Sequence, residues 1–293
     1  MRAEFNEHDR ERVFWWSPRR RFGIFRWENV GDYLAPVVVA GALARCGLRI
    51  GDKARGCSRL LAVGSVLHFA RDGDTIWGVG RNGKMPEGRH TFSLLDVRAV
   101  RGPLTMEFLA ARGIPCPTTY GDPALLLPQL YPELRSETGA RRSVVVVPHF
   151  RDTRVHGGAW KVLRPTVWWR TFVEEIQRAE FVVSSSLHGI VVAEAFGIPA
   201  RWLRVSALEH DLKYRDYYLG TGRPQPRPAG TIEEALRLGG EEPPHFNPEA
   251  LMAAFPYDLW EMPADKTIED RTVSGTTSSA TDTRNTHSSY RLP

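Results

Sequence analysis

Cysteine is scarce in this chain. Cys46, Cys57 and Cys116 stand far apart, without CxxC spacing or a nearby histidine pair, which argues against a disulfide framework and against a zinc site. Long apolar runs are missing as well: no stretch approaches the ~20 residues that a spanning helix requires. The opening MRAEFNEHDRER is charged and lacks the apolar core of a signal peptide, so a cytoplasmic location is expected. No GxGxxG fingerprint follows a predicted strand, which leaves a nicotinamide cofactor little support. No acidic pair or DxD-like cluster calls for an obligatory metal; metal: none and cofactors: none are the expectations. No basic block or RNP-like motif indicates nucleic acid. The formal charge of +5, from 39 basic and 34 acidic side chains, fits a basic cleft for an acidic small molecule.

What is present is an ordinary globular composition, with 42% hydrophobic and 25% charged residues over 293 positions. That length accommodates two separate cores. The organising stretch is FVVSSSLHGIVVAEAFGIP, residues 181–199. Phe181 to Val183 reads as a buried strand, Leu187-His188-Gly189 as a turn, and Ile190 to Phe196 as a helix stopped by Gly197 and Pro199. His188 then sits beyond the carboxyl end of a strand and at a helix amino terminus, where open α/β sheets bind ligands and unpaired N–H groups favour an anion. The residues alone leave two readings: a histidine hydrogen-bonded at a loop, or a site histidine that needs a neighbouring anion to carry charge.

Earlier in the chain, residues 13–27 are rich in tryptophan, phenylalanine and arginine. They read either as a strand and loop covering the first core or as a platform for sugar rings. Asn29-Val30-Gly31-Asp32 precedes a helix-like run from Tyr33 to Cys46, as capping residues do, or presents donors and a carboxylate to a ligand. Leu60 to Val63 reads as a strand ending at Gly64-Ser65, Thr75 to Gly80 as the next, and residues 94–100 as a third that feeds into Arg101. Arg101 is therefore at a strand-to-helix junction, suited to a carboxylate or phosphate fork or to a salt bridge. Ser143 to Val147 is apolar throughout, as in a parallel strand covered on both faces, and places His149 at an equivalent carboxyl end. Residues 167–180 read as an amphipathic helix, Ala200 to Val205 as a strand, and Lys213 to Tyr218 as a helix. Thr231 and Asn247 are spaced to start two further helices.

Strands and helices alternate in both halves. The expected fold is α/β, with two Rossmann-like lobes facing a cleft in a GT-B-like manner. The expected divisions are an N-terminal Rossmann-like lobe over 1–135, a C-terminal Rossmann-like lobe with the His188 site over 136–264, and a disordered Ser/Thr-rich tail over 265–293.

Five segments in order carry a resemblance: NVGDYL at 29–34, LLAVGSVLHF at 60–69, VRGPLTMEFLAARGI at 100–114, YGDPALLLP at 120–128 and SSSLHGIVVAEAFGIPA at 184–200. Together they resemble the polysaccharide pyruvyl transferase family, and KYRDYY at 213–218 resembles its exopolysaccharide, succinoglycan-type subgroup. The resemblance implies transfer of a pyruvyl unit from phosphoenolpyruvate to a sugar of an exopolysaccharide repeat unit, giving a pyruvate ketal and phosphate. It implies a saccharide acceptor that is lipid-linked, and at most peripheral contact with the inner face of the plasma membrane. His188 matches the family's general acid and Arg101 an arginine thought to hold the donor. Ser186 stands where many members have arginine two residues before the histidine.

Phosphoenolpyruvate carries a carboxylate and a phosphate on one small frame, so its site needs several fixed cations or N–H donors. Arg101, Lys213 and Arg215, with Gly64, Ser65, Ser186 and Gly189, are the donor-binding candidates. Asp32 and Asp122 are candidates for the base. Asn29, Glu194 and His149 are candidates for acceptor contacts. Two other readings stand beside this one: a GT-B glycosyltransferase using a nucleotide sugar, and an inactive saccharide-binding subunit.

Overall fold

A computed structural model describes residues 4–17, 28–56, 58–135, 143–152, 158–205 and 210–261. Cys57, the arginine-rich part of the 13–27 segment, residues 136–142 at the expected division between the lobes and the 265–293 tail lie outside the described residues.

Two four-stranded sheets, parallel throughout, form the framework. The first runs in the order β1 (Val13–Phe14), β2 (Leu60–Leu61), β3 (Thr75–Val79), β4 (Asp96–Val100). The second contains β5 (Ser143–Val147), β6 (Lys161–Val162), β7 (Ala179–Ser184) and β8 (Ala200–Trp202), in the order β6-β5-β7-β8. Helices α1 (Glu7–Arg12), α2 (Val30–Ala44), α3 (Pro103–Ala110), α4 (Leu127–Leu130), α5 (Trp169–Gln177), α6 (Leu187–Ala195), α7 (Leu212–Gly220), α8 (Ile232–Leu238) and α9 (Pro248–Ala253) surround them. The α/β class expected from the alternation is the class observed. Among the described residues no helix is long and apolar enough to cross a membrane.

The sheets differ where it matters for a ligand. In the first, strand order follows chain order, so the described strands contain no reversal. In the second, the chain leaves β5 for β6 on one side and returns to β7 on the other. That reversal opens a crevice beyond the carboxyl ends of β5 and β7, the usual place for a ligand in an open parallel sheet. His149 follows β5 and the Ser184–His188 turn follows β7.

Apolar residues explain why these strands hold. Val145, Val146 and Val147 are buried, and Val182 and Val183 lie beside them, a continuous run as parallel strands covered on both faces require. Around the first sheet, Leu61, Ile76, Val79 and Val100 pack with Phe108, Leu109 and Ile114 from α3 and its exit. Capping works locally at the two late helices: Thr231 Oγ1 accepts from Glu234 N at 3.0 Å, and Asn247 Oδ1 from Ala250 N at 2.9 Å.

Both sheets belong to one compact body, residues 1–261. The boundary expected near 135 falls between the sheets, yet α2 from the first half packs on α5 and α6 of the second. A second seam joins α3 to α7. Gly102 lies against the backbone of Asp216, and Gly220 against the backbone of Arg101. A side chain at either glycine would meet main-chain atoms, so the two segments approach more closely than other residues permit. Within this seam Asp216 accepts from Thr105 N (3.0 Å) and Thr105 Oγ1 (2.7 Å) at the start of α3, and from Arg101 Nε at 3.1 Å. Arg101 and Asp216 are both fully buried.

Removing one partner of such a pair strands the other's charge away from water, which costs about 3–5 kcal/mol. Asp216→Ala is expected to lower the unfolding free energy, read from urea titration, by that amount. A change within error of the wild type would mean that water or another group replaces the carboxylate.

Candidate active site

The β7–α6 turn is stitched by its serines. Ser184 Oγ accepts from Ser186 N at 3.0 Å and donates towards the Ser186 carbonyl at 2.7 Å. Ser185 Oγ accepts from His149 N at 2.9 Å, and the Ser185 carbonyl accepts from Tyr214 OH at 2.9 Å. The end of β7 is thus tied to the end of β5 and to α7. Helix α6 starts at Leu187, three residues earlier than the apolar pattern suggests, with Ser186 as its N-cap. His188 is accordingly the second residue of a helix rather than part of a free turn.

The His188 ring is held on two sides. Its Nε2 is 3.5 Å from Asp122 Oδ2, within ion-pair reach but long for a hydrogen bond. Asp122 is fully buried, and its other oxygen caps the following turn by accepting from Ala124 N at 3.0 Å. On the other side the ring's Nδ1 edge rests on the α-carbon of Gly31 in α2, where an added methyl would overlap it.

A cavity of about 300 Å3 opens over His188. Its walls come from both sheets, with Trp16, Asn29, Asp32, Ser65 and the 82–85 loop on one side and His149, Phe150, Arg151, Ser186, His188 and Lys213 among those on the other. Lys84, Arg89, Arg151 and Lys213 bring four cationic side chains to the wall, and Asp32 is the carboxylate among the lining residues. Asn29 Nδ2 donates to Asp32 Oδ2 at 2.6 Å. Burial pushes the Asp32 carboxyl above its ordinary value, and the Asn29 hydrogen bond and nearby His188 offset part of that rise.

The imidazoles record the same field. His149 is pushed down to about 3, first by burial and then by the charges of Lys213, Lys84 and Arg151. His68, also in the wall, is pushed down to about 4 by burial and by His90 and Arg89. Both stay neutral near pH 7.

Of the residues singled out in the sequence, Asn29, Asp32, Ser65, His149, Ser186, His188 and Lys213 meet at this cavity. The others do not line it. Arg101 as a donor fork needs correcting, because its guanidinium is fully buried and engaged by Asp216, by Ser65 Oγ at 2.6 Å and by the Arg81 carbonyl at 3.1 Å. It reaches the cavity wall through its hydrogen bond to Ser65 and through Asp216, which holds α7. Glu194 as an acceptor contact also needs correcting: its oxygens take Arg223 at 2.8 and 2.9 Å and Tyr217 OH at 2.6 Å, inside the second half of the chain. Arg215 follows Lys213 by two positions in a helix, and such residues face different ways. Gly189 has its N–H bonded to the Ser186 carbonyl at 3.1 Å, so it offers no donor, and its α-carbon packs on Ser184 and Val147. Gly64 lies beneath Asp32 Oδ1. Asp122 is behind His188 and outside the wall.

Sequence reasoning missed Lys84, Arg89 and Arg151 as cavity cations, and His68 and His210 as lining residues. Lys84 lies in a loop and Arg89 at the end of a one-turn 3-10 helix after β3, where no periodicity marks them. His68 was inside a quoted segment, LLAVGSVLHF, but carried no signal of its own. Among the described residues no His, Cys, Asp or Glu group is placed to hold a metal ion.

Residues 8–206 match the family described as Polysaccharide pyruvyl transferase. The chain belongs to that family. It is 28% identical over 158 residues to the succinoglycan biosynthesis protein ExoV of Rhizobium meliloti, covering 49% of this chain and 47% of that protein. It is 27% identical over 168 residues to an uncharacterized protein of Acanthamoeba polyphaga mimivirus, covering 53% of this chain and 57% of that one. The chain thus spans about half the length of the curated relatives it matches. Ser186 itself is uncharged, and the cavity's cations come from other elements.

Two outcomes are expected from this geometry. Gly31→Ala should leave the fold intact, since alanine favours the helix by about 1 kcal/mol, while pushing His188 off its seat. Unchanged turnover of the family reaction in a folded Gly31→Ala protein would show that the ring position is unimportant. The second concerns pH. Because the folded pKa values of His149 and His68 lie below the ordinary 6.5, the unfolded chain binds more protons as pH falls through 6.5. Stability conferred by the neutral rings is therefore lost from about pH 6.5 down towards pH 4. Asp32, with a raised value, works in the opposite direction at lower pH. Thermal melts should fall less steeply across that window in His149→Gln than in the wild type; parallel slopes would contradict the assignment.

Proposed function

We propose that the chain transfers the pyruvyl unit of phosphoenolpyruvate to two hydroxyls of a lipid-linked exopolysaccharide precursor. The observation that carries this reading is His188, seated between Asp122 and Gly31, facing a cavity whose wall holds Lys84, Arg89, Arg151 and Lys213. Family membership and the similarity to the succinoglycan biosynthesis protein point the same way. The arrangement of the two sheets about one cleft, in GT-B fashion, is part of the same proposal. It is supported by a cavity drawn from the carboxyl ends of strands in both sheets.

The cationic wall suits the donor's phosphate and carboxylate, and an anion there favours protonation of the His188 ring. His188 gives the proton of Nδ1, the ring nitrogen turned away from Asp122, to the methylene carbon, which becomes a methyl group, and positive charge develops at the carbon bearing phosphate. A sugar hydroxyl adds to that carbon and loses its proton to Asp32, whose raised pKa makes it a better base. The carbon–oxygen bond to phosphate breaks, and a second hydroxyl closes the ketal. The two hydroxyl protons balance the one placed on the methyl group and the one carried away by phosphate. Asp122 orients the imidazole from behind without touching substrate. Lys213 and its neighbours take the anion contact that Ser186 leaves unfilled.

Purified protein is incubated with phosphoenolpyruvate and lipid-linked oligosaccharides, following phosphate release and product mass. His188→Asn should lower turnover by about 10²–10⁴-fold, the range for loss of a general acid, with its melting temperature kept. Near-normal turnover in that variant would exclude His188 as the acid, and a nucleotide product from a nucleotide sugar would replace pyruvyl transfer with glycosyl transfer.

A further inference from the structure

The anionic donor explains the cations of the cavity but not its aromatic side, where Trp16 packs on the core of the first sheet and still lines the cavity. Trp16 lies just past β1 and Phe150 just past β5, so one ring comes from each sheet. Their centroids are 5.3 Å apart with planes inclined at 58°, and both line the cavity over His188. Trp15, the preceding residue, is buried against Phe5 and Tyr33. Successive residues of an extended chain point to opposite sides, which directs Trp16 away from that cluster. Both Trp16 and Phe150 remain half-buried rather than sealed. Arg151 closes the outer edge, its guanidinium 5.9 Å from the Trp16 ring and 5.3 Å from the Phe150 ring.

A pyranose ring presents one face of C–H groups and an edge of hydroxyls. Such a ligand calls for an aromatic face beside a few convergent polar groups. Here the aromatic pair adjoins Asn29, Ser65 and Asn82 in the same wall. We propose that Trp16 and Phe150 form the acceptor subsite, a cross-sheet aromatic wall on which a neutral pyranose stacks with its hydroxyl edge towards His188. The assignment rests on the pyruvyl-transfer reading for its choice of ligand, but not for its test. Because one ring comes from each sheet, the subsite exists only while the two halves of the chain are docked.

The test reads sugar and donor binding separately on the full chain. Saturation-transfer NMR with methyl β-D-glucopyranoside and methyl β-D-galactopyranoside reports the sugar, and the rise in melting temperature with phosphoenolpyruvate reports the donor. Trp16→Ala and Phe150→Ala should each weaken sugar binding by about tenfold, the scale of one aromatic contact. Trp16→Phe should retain it, and all three should keep the donor-induced rise. In turnover, the same alanine variants should raise the acceptor KM with little change in the KM for phosphoenolpyruvate. If Trp16→Ala does not fold, Phe150→Ala on the other sheet decides the matter. Equal saturation transfer in the wild type and the alanine variants overturns the subsite, as does absence of transfer to both sugars in the wild type. A missing donor response with sugar binding still sensitive to Trp16 and Phe150 would instead overturn pyruvyl transfer and leave the subsite standing.

Discussion

The contact between Arg101 and Asp216, both out of water, fixes the relation between the two sheets at this seam. Arg101 comes from the exit of β4 and Asp216 from α7. A buried charge is tolerated only when paired and fully hydrogen-bonded. Asp216 accepts from both groups of Thr105 and from Arg101, while Arg101 also reaches Ser65 and the Arg81 carbonyl. Displacing α7 would break several of these bonds together. The helix that carries Lys213 to the cavity is therefore positioned by a residue that never meets the cavity itself.

Chemistry concentrates where the second sheet reverses its order. The exits of β5 and β7 supply His149, Ser186 and His188, and the serine network holds them in register. The first sheet has no such reversal among its described strands, and supplies Asp32 from α2 and cations from irregular segments. His188 thus sits where the topology of an open parallel sheet favours a ligand. Positive charge at the cavity is distributed over several elements.

Much of this was legible beforehand because local patterns carried it. The valine run of β5, the strand–helix transition at Ser184–His188 and the capping residues Thr231 and Asn247 are decided by neighbours in sequence. What escaped was decided by partners far along the chain. Arg101 stands at a strand-to-helix junction that suits either a ligand fork or a salt bridge, and the partner that decides it is 115 positions away. Glu194, a candidate for acceptor contacts, is likewise taken by a distant partner, Arg223, 29 positions on. Helix α2 begins at Val30, ahead of the Tyr33 start expected, which places Gly31 in the first turn and under the His188 ring. Whether a glycine is a cap or a seat depends on what packs over it, and that is tertiary information.

The glycine seam between α3 and α7 also governs motion. With Gly102 and Gly220 in backbone contact across it, the carboxyl half of α7 has no clearance in which to slide. At the other end of the same helix, just before Leu212, His210 lies against Gly83 of the 82–85 loop, a contact made by an exposed side chain on a surface segment. Helix α7 is therefore held at its carboxyl end by main-chain packing and at its amino end by a side-chain contact on the rim of the cavity.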